Sequence, residues 1–346
     1  MRIGILTGGG DAPGLNAVIR GITIRAIQDG NEILGVQLGW KGMIQKLFNV
    51  LTLDDVEDIQ RQGGTILGSS RTNPFKIEKG TEIIVENMKE MKMDALVAIG
   101  GEDTLGVANK LFKMGIKVIG VPKTIDNDVS ATDYTFGFDT AINIATEAMD
   151  RLHTTAKSHH RVMIVEIMGR HAGWMALHAG IAGGAHIILI PEELFDINYV
   201  CDIIKKRKEQ GKVYSMVAVA EGARCLELEE KVKHNEGFDA FGHIQLGKGI
   251  GIGEVLEKEI EKRTGIETRL MVLGHLQRGG APSAFDRVLG TRFGYKAYDL
   301  IKQNKFGKMV SLKGTEIVEA NLEEGVGVLK IVPQVYYNEA KVFFGL

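Results

Sequence analysis

Short apolar runs alternate with helix-length amphipathic segments along most of this chain, and the runs end in loops rich in glycine or carboxylate. A strand over 3–6 is followed by a predicted helix over 13–28, a strand over 32–37, a helix over 83–92, a strand over 95–99, a helix over 104–113, a strand over 118–121 and a helix over 141–156. Parallel strands need a crossover and are covered on both faces, so such repetition predicts a parallel, doubly wound sheet. The pattern resumes with strands over 162–167, 186–190 and 213–220, separated by helices over 171–182 and 199–210. The expected fold class is therefore α/β, with two doubly wound, Rossmann-like domains and mostly parallel sheets. The charged, weakly periodic stretch 225–249 reads as surface insertion or loop before an amphipathic helix over 255–263.

A length of 346 residues at 44% hydrophobic and 25% charged composition supports two domains with separate cores. The formal charge of -2 leaves no basic footprint for nucleic acid. Only Cys201 and Cys225 occur, too few for a disulfide framework and without metal spacing, so both read as reduced structural thiols. The opening Met1–Leu6 run turns at once into glycine loop, and no later window approaches the roughly 20 apolar residues of a membrane span. A cytoplasmic protein is expected. Glycine is the outlier, 44 residues of 346, against an average near ~7%. Much of it follows strands, as in Gly8-Gly9-Gly10, Gly63-Gly64, Gly100-Gly101 and Gly279-Gly280, where it lets backbone N–H groups approach a phosphate closely.

Gly8-Gly9-Gly10-Asp11-Ala12-Pro13-Gly14-Leu15-Asn16 joins the first strand to a helix, with Pro13 suited to its first turn. That arrangement aims free amides and the positive helix end at an anion, although a tight turn alone would use the same residues. It is neither a P-loop, lacking Gly-Lys-Ser/Thr, nor a G-x-G-x-x-G dinucleotide fingerprint. Two further loops, Gly100-Gly101-Glu102-Asp103-Thr104 and Pro122-Lys123-Thr124-Ile125-Asp126-Asn127-Asp128, follow strands at the usual ligand edge of an open sheet. Asp126 and Asp128 point the same way only if that segment is extended. A carboxylate there can accept a proton from a sugar hydroxyl or bind Mg2+; Asp-Asn-Asp is also a common turn or cap sequence. Arg71, Arg161, Met168-Gly169-Arg170, Glu221, Arg269 and His275-Leu276-Gln277-Arg278 complete the candidates. A lone arginine is usually a surface charge, but Arg71, Met168–Arg170, Glu221, His275 and Arg278 sit at or after strands and glycine loops.

Taken in order, Gly-Gly-Asp-Ala-Pro-Gly-Leu-Asn-Ala, Gly-Gly-Glu-Asp-Thr, Pro-Lys-Thr-Ile-Asp-Asn-Asp, Met-Gly-Arg, Ala-Glu-Gly and Gly-His-Leu-Gln-Arg-Gly-Gly resemble the 6-phosphofructokinase family, from Ile3 to about Tyr298. The resemblance implies a phosphofructokinase fold and phosphorylation of the 1-hydroxyl of fructose 6-phosphate with Mg2+. It makes Asp126 the base, with Thr124 and Asp128 beside it, puts Gly10 and Arg71 on the donor phosphate, and gives Glu102 the metal. It assigns Met168, Gly169, Arg170 and Glu221 to the sugar, and His275 and Arg278 to its 6-phosphate. Arg161 and Arg269 would reach that phosphate from a neighbouring subunit, so a homo-oligomer, dimer or tetramer, is implied. The division it suggests is a donor domain of residues 1–137 with 276–325 and a sugar-phosphate domain of residues 138–275 with 326–346.

Departures from the ATP-using bacterial pattern bear on the donor. Those enzymes usually carry glycine where this chain has Asp103 and Lys123, and the substitutions match the pyrophosphate-dependent branch. A carboxylate at Asp103 would overlap and repel the α-phosphate of ATP; two unit charges ~4 Å apart at an effective dielectric of 20 cost about 4 kcal/mol. Lys123 can neutralise charge building on a leaving phosphate. Both belong among the expected catalytic residues. Pyrophosphate is therefore the expected donor in a reversible reaction, and an ATP-dependent 6-phosphofructokinase is the alternative. Ile24, Leu53 and His153 stand where regulated bacterial members place effector-site arginines, so strong control by ADP or phosphoenolpyruvate is not expected.

Overall fold

The computed structural model describes residues 1–234 and 249–345, so 235–248 of the charged stretch lie outside the described residues. Its strands, in chain order, are β1 (Arg2–Thr7), β2 (Glu32–Val36), β3 (Phe48–Leu51), β4 (Ala95–Gly100), β5 (Val118–Pro122), β6 (Val162–Ile167), β7 (Ile187–Leu189), β8 (Ser215–Ala220), β9 (Lys233–His234), β10 (Gly249–Ile250), β11 (Thr268–Val272), β12 (Lys308–Lys313) and β13 (Glu316–Asn321). They form a seven-stranded sheet ordered β13-β12-β5-β4-β1-β2-β3, a four-stranded sheet ordered β11-β6-β8-β7, and the pair β10-β9.

The centre of the large sheet is parallel, as the fully apolar β4 and nearly fully buried β1 require. Side chains alternate across it. Ala95, Val97 and Ile99 of β4 enter one core with Ile3 and Ile5, while Leu96, Ala98 and Leu6 enter the core on the other face. The small sheet is parallel throughout and splits likewise, with Met163, Val165 and Ile167 on one side and Val162 and Ile164 on the other.

The antiparallel edges are not evident from the alternation. β2 pairs with β3 and β12 with β13, each edge strand half-exposed, and Gly314 at φ 57° turns the second hairpin. Helix starts also differ from the pattern. The first helix is Leu15–Gln28 with Gly14 (φ 105°) as its cap, so Pro13 precedes the helix instead of occupying its first turn. Another starts at Trp174 and not at 171, whereas Phe138–His159 is longer at both ends than its apolar periodicity suggests.

Strand order places the site. From β1 the chain moves to β2 on one side and from β4 to β5 on the other, so the switch point lies between the carboxyl ends of β1 and β4. In the small sheet β6 lies between β8 and β11, putting its carboxyl end in the corresponding position. The helix Leu15–Gln28 is held behind the first loop by glycine contacts with the helix Ala284–Lys302: a Cβ on Gly294 would come within 2.6 Å of the Val18 carbonyl oxygen.

Candidate active site

Three loops meet at the carboxyl edge of the large sheet. Gly8 donates its N–H to the Ile99 carbonyl (2.9 Å), Gly9 to the Ser70 carbonyl (3.3 Å), and Lys123 to the Gly100 carbonyl (2.9 Å). Thr104 is wedged among them; a Cβ on Gly8 or Gly100 would lie 2.4 Å from its side chain, so only glycine allows this approach. Ser70 brings the exposed Arg71 beside the first glycine loop.

Two cations converge on that loop. The buried Lys123 donates from Nζ to the Gly10 carbonyl, and Arg278 donates from NH1 to the Asp11 carbonyl at 3.2 Å. A Cβ on Gly10 would meet that guanidinium nitrogen at 2.4 Å. Burial, and next the nearby Arg278 charge, pull the Lys123 ammonium down to about 7, against the opposing pull of Asp11, Asp126 and Asp128. An anion bound here would raise it again. Opposite, the helix Glu102–Lys113 begins with Glu102 and Asp103 in its first turn, where the dipole favours carboxylates. Glu102 Oε1 accepts the Gly327 N–H at 3.0 Å.

The third loop carries the paired carboxylates. It is not extended: Asn127, between them, has φ 52°, so alternation cannot align Asp126 with Asp128. They nevertheless share one electrostatic environment. Asp128 is raised to about 7, first by burial and then by the charge of Asp126, while Thr124 hydrogen-bonds to it. Thr124 Oγ1 also accepts the Asp126 N–H at 3.1 Å. Asp126 Oδ1 is buried and has no hydrogen-bond partner, an expensive state for a carboxylate oxygen unless a ligand completes it.

The small sheet faces the same cleft. Met168 N–H reaches the buried Gln277 Oε1 at 3.3 Å, Gly169 adopts φ 131°, and Gly222 passes so close to Arg170 that a Cβ would lie 1.9 Å from its carbonyl oxygen. Arg170 Nε is buried without a partner. Glu221 is raised to about 7 by burial and, secondarily, by the charge of Asp126, which reaches it from the large-sheet side of the cleft. Cationic, acidic and orphaned groups therefore line one space between the two sheets.

The remaining candidates lie elsewhere. Arg161 and Arg269 stand at the opposite ends of β6 and β11, about 20 Å of strand from Met168, and both pair with Glu267, Arg161 at 2.8 Å. One chain alone does not bring them to the cleft. His275 is exposed and shares the short 3-10 turn Gly274–Arg278 with Arg278, whose guanidinium lies against Gly10–Asp11.

Among the described residues no three His, Cys, Asp or Glu side chains form a ready metal cage. Mg2+ needs none, since it is usually held by one or two carboxylates together with water and substrate phosphate; Glu102 and the unsatisfied Asp126 oxygen fit that donor set. Cys201 and Cys225 are free and buried in the outer core of the small sheet. Among the described residues no helix is long and apolar enough to cross a membrane. Sequence reasoning passes over Lys330, which reaches the carboxylate loop from more than 190 residues away. No local motif marks it.

A family model described as "Phosphofructokinase" matches residues 2–301. A pyrophosphate–fructose 6-phosphate 1-phosphotransferase of Amycolatopsis methanolica is 57% identical, over 100% of both chains. An ATP-dependent 6-phosphofructokinase 3 of Streptomyces coelicolor is 48% identical, over 99% of both. The solved structure of Pichia pastoris phosphofructokinase in the T-state superposes with a TM-score of 0.82 at 31% identity, covering 99% of this chain and 37% of that longer one.

Proposed function

Because this chain belongs to the phosphofructokinase family, we propose that it transfers a phosphoryl group from pyrophosphate to the 1-hydroxyl of fructose 6-phosphate, giving fructose 1,6-bisphosphate and phosphate. The reaction is reversible and belongs to glycolysis. The observation that carries this reading is the buried, unpartnered Oδ1 of Asp126 in a cleft whose donor side holds Lys123 and Asp103. Asp126 accepts the proton of the 1-hydroxyl as its oxygen attacks one phosphorus of pyrophosphate. The bridging P–O bond then breaks, and the Lys123 ammonium stabilises the phosphate that leaves. Proton transfer and bond cleavage balance without a further reactant.

Asp128 and Thr124 hold the base in place. Gly10 and Arg71 cradle the donor, and Met168, Gly169, Arg170, Glu221, His275 and Arg278 hold the sugar phosphate. The position of Arg278 against Gly10–Asp11 suits a cation between the two anionic ligands. Mg2+, when bound at Glu102, neutralises phosphate charge. Arg161 and Arg269 act in the neighbouring subunit's site, which makes the working enzyme a homo-oligomer. We further propose a division into a donor domain, 1–137 with 276–325, and a sugar-phosphate domain, 138–275 with 326–346. The enzyme is read as cytoplasmic and without strong effector control, since Ile24 packs against the core and His153 is held by the Tyr214 hydroxyl (3.1 Å) and Gly183 carbonyl (2.6 Å).

Initial rates with fructose 6-phosphate and Mg2+, measured separately with pyrophosphate and ATP, test the reading. Pyrophosphate should support turnover and ATP little or none. Preferential use of ATP would refute the donor assignment, and inactivity with both would refute the reaction.

A further inference from the structure

Residues 327–330 form a strap across the carboxylate loop. Leu329 bridges Val129 antiparallel, Lys330 N–H donates to the Asp128 carbonyl (2.9 Å), and Ser130 Oγ donates to the Val328 carbonyl (2.5 Å). At one end Gly327 reaches Glu102 (3.0 Å); at the other, Trp174 Nε1 donates to the Lys330 carbonyl (2.8 Å). Two residues on, Val332 N–H shares Glu192 Oε1 with Gly173 N–H, both at 2.9 Å. The strap thus connects the donor-side helix start, the carboxylate loop and the helix behind the sugar side.

Lys330 is its centre. Its ammonium donates to Asn127 Oδ1, the Thr132 carbonyl and the Asp133 carbonyl, each at 2.9 Å, which uses all three protons. It also lies 5.8 Å from the centroid of the Trp174 ring. Asn127 is the left-handed residue (φ 52°) between Asp126 and Asp128, and its Oδ1 accepts Thr135 N–H (3.1 Å) as well. Asparagine tolerates that conformation better than most residues, and here the hydrogen bonds to its Oδ1 from Thr135 N–H and the Lys330 ammonium fix it.

We propose that Lys330 is a positioning residue: by gripping Asn127 and the carbonyls of 132–133, it holds the turn that aims Asp126 at the sugar hydroxyl. This rests on Asp126 being the base. Displacing a catalytic group by about 1 Å costs on the order of 10²-fold in rate. Lys330→Met should therefore lower kcat about 10–100-fold while the KM values for fructose 6-phosphate and pyrophosphate stay within about threefold. Lys330→Arg, which keeps the positive charge and enough N–H donors for the same three acceptors, should recover most of the loss. Should the methionine variant fail to fold, Lys330→Gln is measured in the same way, with thermal melting confirming the fold. A kcat within twofold of the unmodified enzyme would overturn the proposal. So would equal losses in the methionine and arginine variants with KM rising in parallel. Each variant is compared with the unmodified enzyme on the donor it uses, so a wrong donor assignment leaves this test intact; an unmodified enzyme inactive with both donors fails the function reading instead.

Discussion

Replacing both Asp103 and Lys123 with glycine should turn this enzyme towards ATP. Asp103 occupies the first turn of the helix Glu102–Lys113, just after β4, whose Gly100 carbonyl accepts the Lys123 N–H at the end of β5. At ~4 Å from an α-phosphate and an effective dielectric of 20, its charge costs about 4 kcal/mol, which corresponds to a factor of about 10³ in relative ATP use. Asp103→Gly alone should release part of that penalty, at a stability cost of about 0.3–1 kcal/mol for losing an acidic residue at a helix start. Lys123→Gly alone removes the ammonium held at the Gly10 carbonyl and should only lose activity, with pyrophosphate turnover falling roughly 10²–10³-fold, the usual cost of deleting one transition-state charge partner. The double variant should lose most pyrophosphate activity and gain measurable ATP activity. The side chains share one loop junction, so their effects need not add. The assay is the initial rate of fructose 1,6-bisphosphate formation with each donor, alongside a thermal melt. A folded Asp103→Gly variant with undetectable ATP activity would refute the electrostatic argument.

Asp126→Asn should leave fructose 6-phosphate binding nearly unchanged, measured by calorimetry, and reduce kcat by about 10²–10⁴-fold; an active variant would remove Asp126 as base. Arg161→Ala should raise KM for fructose 6-phosphate far more than for pyrophosphate, and mixing these chains with Asp126→Asn chains should regenerate some activity. A fully active monomer in solution would contradict the shared site. Glu221 gives a pH prediction. Its folded pKa is raised from 4.5 to about 7, so the native state holds this proton more tightly than the unfolded chain, and stability is lost as pH rises through that window. Glu221→Gln should therefore raise the melting temperature of the ligand-free protein at pH 8 and lose that advantage towards pH 4; an equal gain at both would show that the carboxylate charge is not the cause.

Strand-forming runs with glycine after them were enough to imply the parallel sheets and their loaded carboxyl edges, because burial on both faces demands uninterrupted apolar strands such as 95–99. The candidate site residues were legible for a related reason. Phosphate chemistry needs glycine, carboxylate and cation in short loops after strands, so Gly8–Gly10, Glu102–Asp103 and Lys123–Asp128 each announce themselves locally. The edge hairpin β12–β13 did not, since half-exposed edge strands carry a diluted pattern. Spacing left open whether 126–128 is extended or turned; Asn127, a residue type that tolerates the left-handed region, takes the turn because Thr135 N–H and the Lys330 ammonium hold its side-chain oxygen. Only tertiary structure brought Glu221 of one sheet within electrostatic reach of Asp126 in the other, carried Lys330 back across the chain to the carboxylate loop, and set Arg278 against Gly10–Asp11. Local sequence constrains neighbours through the periods of strand and helix. Contacts between distant segments depend on how whole layers pack, and that was decided by the buried cores on both faces of each sheet and by the strap across the carboxylate loop.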